Sequence, residues 1–135
     1  MTVSVAVDGH PFVRYAADAV IVATATGSTA YSFSAGGPII SPTVEGFLVV
    51  PAAAHSTFSR AIVLAADEVV TLDLLPSSGV VAVEVDGRIS GQLGPGDQLQ
   101  VTARRGAAWV VRLGNTTFYQ RARRKLQVTG SAEVS

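Results

Sequence analysis

The 135-residue chain has a formal net charge of +0, 48% hydrophobic residues, two histidines and no cysteine. This length allows one compact domain with a sizeable core, and the neutral total gives no bulk signal for nucleic acid or an acidic membrane. Without cysteine, disulfides, thiol chemistry and the common zinc sites are excluded. With no apolar run near the ~20 residues of a membrane-spanning helix and no secretory pattern, we expect a cytoplasmic protein without membrane or nucleic-acid partners.

The first elements predicted along the chain are a hairpin and a buried strand. Apolar and polar residues alternate through residues 3–15 around Asp8-Gly9, and this dipeptide is a strong signal for a tight turn between two strands. Residues 19–23 form a continuous apolar run of strand length. Such a run indicates a strand that is buried on both faces.

Residues 24–38 combine hydroxyl side chains, aromatic rings and glycines directly after that strand. Small side chains let a ligand approach the backbone closely, and hydroxyls supply short, adaptable hydrogen bonds. Within this segment, residues 27–35 predict a short helix with Thr26 or Ser28 as its N-cap. Gly36-Gly37 would end that helix and Pro38 would stop it.

The remainder of the chain predicts a mainly β fold. Asp86-Gly87 and other turn residues separate short β-branched runs. Residues 5–9 and 83–87 echo one another, which we interpret as two similar hairpins. We expect one β-rich domain over residues 1–128 and a frayed tail over 129–135. The strand-like runs are residues 46–50, 62–64, 69–75, 80–86, 98–103, 108–113 and 117–120.

The residues by themselves leave the role of the 24–38 segment open. A loop rich in glycine, serine and threonine is more often a plain connection than a binding site. The alternative for Asp18 is that it only ends a turn. In favour of binding, Tyr31 offers a flat platform for a base or a nicotinamide ring. The carboxylate of Asp18 is suited to accepting hydrogen bonds from ribose hydroxyls or an amide.

Three other patterns favour structural explanations. His55 lies near Ser56 in sequence, but no nucleophile-elbow pattern accompanies it, so we expect His55 to shape a loop. Glu84 and Asp86 are two positions apart, so their side chains share one face of a strand, which we interpret as an ordinary solvated face. The basic run at residues 121–125 is better explained by a solvated terminal strand or a phosphate-facing edge than by a nucleic-acid site.

The segment from Asp18 to Pro38 resembles the motif Asp-Gly-(apolar)-Ser-Thr-Pro-Thr-Gly-Ser-Thr-Ala-Tyr-Ser-x-Ser-Ala-Gly-Gly-Pro of the NAD kinase family. The resemblance continues through Pro42, His55-Ser56, Arg60 and Val85-Asp86-Gly87-Arg88. It implies the mainly β, β-sandwich-like C-terminal domain of the NAD kinase and diacylglycerol kinase-like fold. One short helix would follow the Thr-Gly-Ser-Thr-Ala-Tyr loop.

The resemblance also implies an activity, a set of site residues and partners. The chain is expected to be the NAD-binding and oligomerisation domain of an enzyme that phosphorylates NAD to NADP with ATP and Mg²⁺, assembled as a homodimer or homotetramer. Asp18 would reach the nicotinamide ribose or amide, in some cases in a neighbouring subunit's site, and Arg88 would approach a phosphate. The dinucleotide would be wrapped by Thr29, Ala30, Tyr31, Ser32, Phe33 and Ser34.

The sequence departs from the family pattern in two ways. The N-terminal kinase domain of the family carries a Gly-Gly-Asp-Gly-Thr phosphate loop, which these 135 residues do not contain, so the chain alone is expected not to transfer phosphate. Ala25 stands where the motif has proline, and Ala17 and Ala19 flank Asp18 where it has glycines. The alternative is a non-catalytic nucleotide sensor or assembly module, and half of a lipid kinase is a distant third.

Overall fold

The computed structural model describes residues 1–29 and 31–104, and it confirms the mainly β prediction. Within these ranges, no helix combines the length and the apolar character needed to span a bilayer. The predicted strands at 108–113 and 117–120, the basic run at 121–125 and the tail at 129–135 lie outside the described residues. The strands are β1 (Thr2–Val7), β2 (His10–Ala16), β3 (Ala19–Thr24), β4 (Gly46–Ala52), β5 (Ile62–Ala65), β6 (Val69–Leu74), β7 (Val81–Val85), β8 (Arg88–Leu93) and β9 (Gln98–Thr102).

Four strands form an antiparallel sheet in the order β2-β1-β6-β9. The alternation in β1 sets its orientation, because Val3 and Val5 are buried while the side chain of Ser4 belongs to the opposite, more polar face. β6 follows the same rule, with Val70, Leu72 and Leu74 inward. One face of this sheet therefore supplies much of the main core.

The second sheet has the order β3-β4-β5, and its central strand is buried on both faces. Phe47 and Val49 of β4 pack with the apolar side chains of the four-stranded sheet. Leu48 and Val50 belong to a separate apolar cluster on the other face. The continuous apolar sequence of β4 is thus explained by cover on both faces. Burial on both faces was predicted for residues 19–23, and this prediction is wrong in degree, since these residues of β3 are only partly buried. Among the described strands, β3 lies at the edge of this sheet and β4 at its centre.

The echo between residues 5–9 and 83–87 corresponds to two hairpins with the same local geometry. In both turns the aspartate and the glycine have positive φ, at 50° and 80°, which is the type I′ conformation favoured by Asp-Gly. Each hairpin also has a register shift two residues before its aspartate, between Val5 and Ala6 and between Val83 and Glu84. The prediction of two similar hairpins is confirmed.

The predicted helix is observed as two helical elements of different type. A 3-10 turn covers Thr26–Thr29, and a one-turn α-helix, α1, covers Tyr31–Ser34. Glycine, serine and threonine are weak helix formers, and a serine hydroxyl bonded to a nearby carbonyl competes with regular helix geometry. The predicted ending at Gly36-Gly37 is confirmed, since Gly36 has a φ of 90° and its amide donates to the Phe33 carbonyl at 2.9 Å.

A cavity of about 460 Å³ separates parts of the two sheets and the β7–β8 hairpin. Its walls are mainly apolar side chains of β1, β3, β6, β7 and β9, while Thr24, Glu84 and Asp86 add polar atoms. Of the predicted site residues that the structure describes, none lines this cavity. Because Thr24 and Asp86 both line the cavity, the Asp86-Gly87 turn between β7 and β8 lies near the start of the 24–38 segment. The cavity itself does not contain the predicted site.

Candidate functional site

The 24–38 segment begins where β3 ends, and Thr24 supplies its cap. The Thr24 hydroxyl oxygen accepts a hydrogen bond from the Gly27 amide at 3.1 Å. The sequence prediction placed the cap at Thr26 or Ser28, whereas the oxygen observed in this role comes from the last strand residue. This hydrogen bond closes the turn that directly follows β3.

Ser28 joins the two ends of the segment. Its side chain is 0% exposed, and its hydroxyl donates to the Ala25 carbonyl at 2.7 Å. The same oxygen accepts the Ile40 amide at 2.9 Å, across twelve positions of sequence. Because Ala25 and Ile40 are also buried together against Leu48 and Val50, this hydroxyl lies within a packed apolar cluster.

Ser32 links helix α1 to the preceding 3-10 turn, and Gly37 lets the end of this segment approach the sheet. Ser32 is buried, with its hydroxyl 3.2 Å from the Ser28 carbonyl and 3.3 Å from the Gly27 carbonyl. The Ser32 carbonyl accepts the Gly37 amide at 2.8 Å. A Cβ on Gly37 would lie 2.7 Å from that carbonyl oxygen and 2.9 Å from a methyl of Val50, so only glycine permits this approach.

The structure brings most of the predicted wrapping residues into this one segment. Phe33 is half-buried and Ser34 is exposed at the end of α1, while the buried Ser32 hydroxyl is engaged with the loop's own backbone. Thr29 ends the 3-10 turn, Tyr31 begins α1, and Ala30 lies outside the described residues. A ligand bound to this segment would contact its solvent-facing side. Ser32 would support that side through its hydrogen bonds to the loop backbone.

Asp18 and Arg88 belong to parts of the chain other than the 24–38 segment. Asp18 is exposed just before β3, where its amide donates to the Ala52 carbonyl at 2.9 Å. Six residues of strand, or about 20 Å, separate it from the start of the loop. Arg88 is exposed at the first position of β8, directly after the Asp86-Gly87 turn.

The two faces of β3 pack against different apolar clusters. Val20 and Val22 pack toward the core between the sheets, whereas Ile21 and Ala23 pack with the apolar cluster beneath the loop. Asp18 lies in a bend directly before the first residue of this strand. The structure therefore separates Asp18 from the start of the loop by the length of β3.

A second loop, residues 53–61, is held beside Asp18 by aromatic residues that sequence reasoning did not single out. The fully buried Tyr15 hydroxyl donates to the Arg60 carbonyl at 2.6 Å, and burial raises the pKa of Tyr15 to about 12. The Phe58 ring lies 6.2 Å from Tyr15 and 5.9 Å from the exposed Phe12. The His55 amide donates to the Ala16 carbonyl at 2.8 Å, consistent with the loop-shaping role expected for His55.

The electrostatic character of the 24–38 segment is neutral. It contains no charged side chain, so its hydroxyls, amides and carbonyls supply its polar interactions. In the part of the chain that the structure describes, no group of three or more His, Asp and Glu side chains is arranged to hold a metal ion. The uncharged groups of the 24–38 segment suit a neutral sugar or ring better than a metal-bound phosphate.

The arrangement defines a mainly β domain with a neutral, hydroxyl-rich loop fixed on its smaller sheet, and comparison with known proteins agrees. Residues 1–113 match the family described as the ATP-NAD kinase C-terminal domain. The chain belongs to this family. NAD kinase 1 of Streptomyces avermitilis is 46% identical over 129 residues, covering 96% of this chain and 36% of that protein. The NAD kinase of Symbiobacterium thermophilum is 46% identical over 116 residues, covering 86% and 41%.

Solved structures show the same fold. Yeast NADH kinase complexed with NADH matches with a TM-score of 0.75 and 29% identity, over 98% of this chain and 39% of that one. The NAD kinase from Archaeoglobus fulgidus in complex with ATP matches with a TM-score of 0.63 and 27% identity, over 77% and 39%. The chain spans about two fifths of the length of the curated relatives it matches.

Proposed function

We propose that this chain is the NAD-binding part of an NAD kinase, which transfers a phosphate from ATP to NAD. The observation that carries the proposal is the 24–38 segment of a domain of this family: two buried serines fix its backbone, and Gly37 lets it approach β4. A preformed loop loses little conformational freedom when a ligand binds, which favours affinity. The match to a kinase solved with NADH supports the same ligand class.

In this proposal the chain holds the substrate and does not activate phosphate. Phosphoryl transfer needs cations and an oriented base around the transferred group. The loop carries no charge, and the 135 residues lack the Gly-Gly-Asp-Gly-Thr segment. ATP, Mg²⁺ and the base are therefore assigned to the remaining part of the full-length enzyme, and the isolated chain is expected to be inactive.

Within the loop, Tyr31 would stack on a ring of the dinucleotide, and backbone groups around Thr29 and Ala30 would bond its polar edges. Phe33 and Ser34 would continue the contact at the end of α1. Arg88 is the cation that we assign to a phosphate of the ligand, because it is exposed beside the β7 turn, and Asp86 of that turn shares a cavity wall with Thr24.

We further propose that Asp18 acts on a ligand held by a neighbouring copy of the chain. The position of Asp18 supports this, because Asp18 is exposed and is a full strand length from the start of the loop. A second copy that presents its Asp18 would supply the carboxylate that the loop of the first copy lacks. This proposal gives the expected dimer or tetramer a direct role in binding.

The test is calorimetric titration of the full-length protein with NAD and NADP, alongside a coupled assay for NADP formation. Tyr31→Ala should raise the dissociation constant for NAD about tenfold or more, because aromatic stacking on a base is worth about 1–3 kcal/mol. Val80→Ala is the control, since Val80 is an apolar side chain that is 65% exposed in the segment between β6 and β7, outside the loop. An unchanged affinity in the Tyr31 variant contradicts the assignment of the loop.

The same measurements separate the alternative functions. NAD binding without NADP formation in the full-length protein would indicate a nucleotide sensor, and no binding at millimolar concentration would indicate an assembly module. Asp18→Asn tests the shared site. Mixing it with Tyr31→Ala protein should restore part of the NAD affinity only if the two residues act on one ligand from different copies. Equal, weak binding in the mixture would place both residues in one copy's site.

A further inference from the structure

Ser28 has a side chain that reaches across the base of the loop. Its hydroxyl accepts the Ile40 amide at 2.9 Å and donates to the Ala25 carbonyl at 2.7 Å. A hydroxyl has one proton to donate, so the longer 3.4 Å approach to the Ile40 carbonyl is secondary. One buried oxygen thus ties the entry of the loop to its exit.

We propose that Ser28 is a positioning residue that holds residues 29–34 in their ligand-binding shape. The inference rests on the proposed function, because it assigns Ser28 a role toward NAD without a contact to NAD. Ser28 is 0% exposed, so its effect on a ligand must pass through the backbone that it fixes. The segment between its two partners contains every predicted wrapping residue.

Ser28 also restrains Ala25 at the entry of the loop. The family motif has proline there, which would fix the backbone at the loop entry, and alanine leaves that backbone freer. Here the Ala25 carbonyl instead receives both the hydroxyl and the amide of Ser28, at 2.7 Å and 3.2 Å. The two hydrogen bonds restrain the residue that the absent proline ring would have restrained.

The chain also offers a matched control in Ser78. This serine is 7% exposed, and its hydroxyl accepts the Thr2 amide and donates to the Thr2 carbonyl at 3.0 Å. It links the segment after β6 to β1, far in the topology from the 24–38 segment. Ser78→Ala therefore removes a buried hydroxyl of the same kind without touching the loop.

The experiment compares Ser28→Ala, Ser28→Thr and Ser78→Ala by two readouts. Without ligand, the Ile40 amide should exchange with solvent at least tenfold faster in Ser28→Ala, because that amide loses its buried acceptor, and the Thr variant should restore protection. With NAD, Ser28→Ala should raise the dissociation constant about tenfold. Ser78→Ala should lower stability but leave both values near those of the wild type.

The outcomes are distinguishable. If Ile40 exchange is unchanged in Ser28→Ala, or if that variant binds NAD as tightly as the wild type, the positioning role of Ser28 is wrong. If Ser78→Ala weakens NAD binding equally, the effect is general destabilisation and the inference also fails. If the wild type itself does not bind NAD while Ile40 exchange responds as expected, the proposed function fails and the hydroxyl link stands.

Discussion

Gly37→Ala offers the most direct test of how α1 is fixed on the sheet. An added Cβ would lie 2.7 Å from the Ser32 carbonyl oxygen, 2.9 Å from a Val50 methyl and 3.3 Å from a Leu48 methyl. The carbonyl has little freedom to move away, because it accepts the Gly37 amide at 2.8 Å. Overpacking of this kind costs about 1–3 kcal/mol, so the free energy of unfolding should fall by that amount.

The assay is equilibrium unfolding in denaturant, followed by titration with NAD. Gly79→Ala is the control, because no atom of the described residues beyond its chain neighbours lies within 4 Å of the added Cβ, and its φ is not in the left-handed range. That variant should match the wild type or be more stable by about 0.4–1 kcal/mol. If the two variants have equal stability, the close approach of α1 to β4 is wrong, and the preformed loop loses its main support.

Three further substitutions test other parts of the fold. Tyr15→Phe should cost about 1 kcal/mol at pH 7. Burial raises the pKa of Tyr15 from the ordinary 10 to about 12 in the folded protein. The stability that comes from the buried, protonated Tyr15 is therefore complete below pH 10 and is lost as the pH rises toward 12. Urea unfolding of the Phe variant across this pH range should lack that decline. Asp8→Ala should lower the free energy of unfolding by about 1 kcal/mol more than Asp86→Ala, because Asp8 accepts the first amide of β6 at 2.8 Å. Equal losses of stability in thermal unfolding would contradict this. Ala25→Pro should raise stability by about 0.4–1 kcal/mol, and a loss would show that proline does not fit this entry.

Much of the fold could be predicted because its signals are local. Asp-Gly dipeptides fix type I′ turns through the φ angles they tolerate, so both hairpins were predicted from a few residues each. The strand at 19–23 was predicted from its continuous apolar run, and the structure places it in the three-stranded sheet. The divided helix was not predicted, because hydroxyl bonds to nearby carbonyls, not propensity alone, set the conformation around Ser28.

The candidate site was predicted as a segment, and its internal arrangement was not. Hydroxyls and glycines marked residues 24–38, and the resemblance named individual positions within them. Nothing in the sequence distinguished Ser28 and Ser32, whose hydroxyls face inward, from Ser34, which is exposed. The Gly36-Gly37 pair was interpreted as a helix stop, whereas Gly37 also permits contact with Val50, thirteen positions later in the sequence.

The sequence by itself determined the mainly β class, the two hairpin turns, the neutral chemistry of the loop and the family. These depend on residue type and on neighbours within a few positions, which the linear chain records. Only the tertiary structure decided that one buried hydroxyl joins Ala25 to Ile40, that α1 rests on β4, and that the two faces of β3 pack against different clusters. Those features depend on strand pairing and packing between residues far apart in sequence, where burial gives an ordinary serine or glycine its specific role.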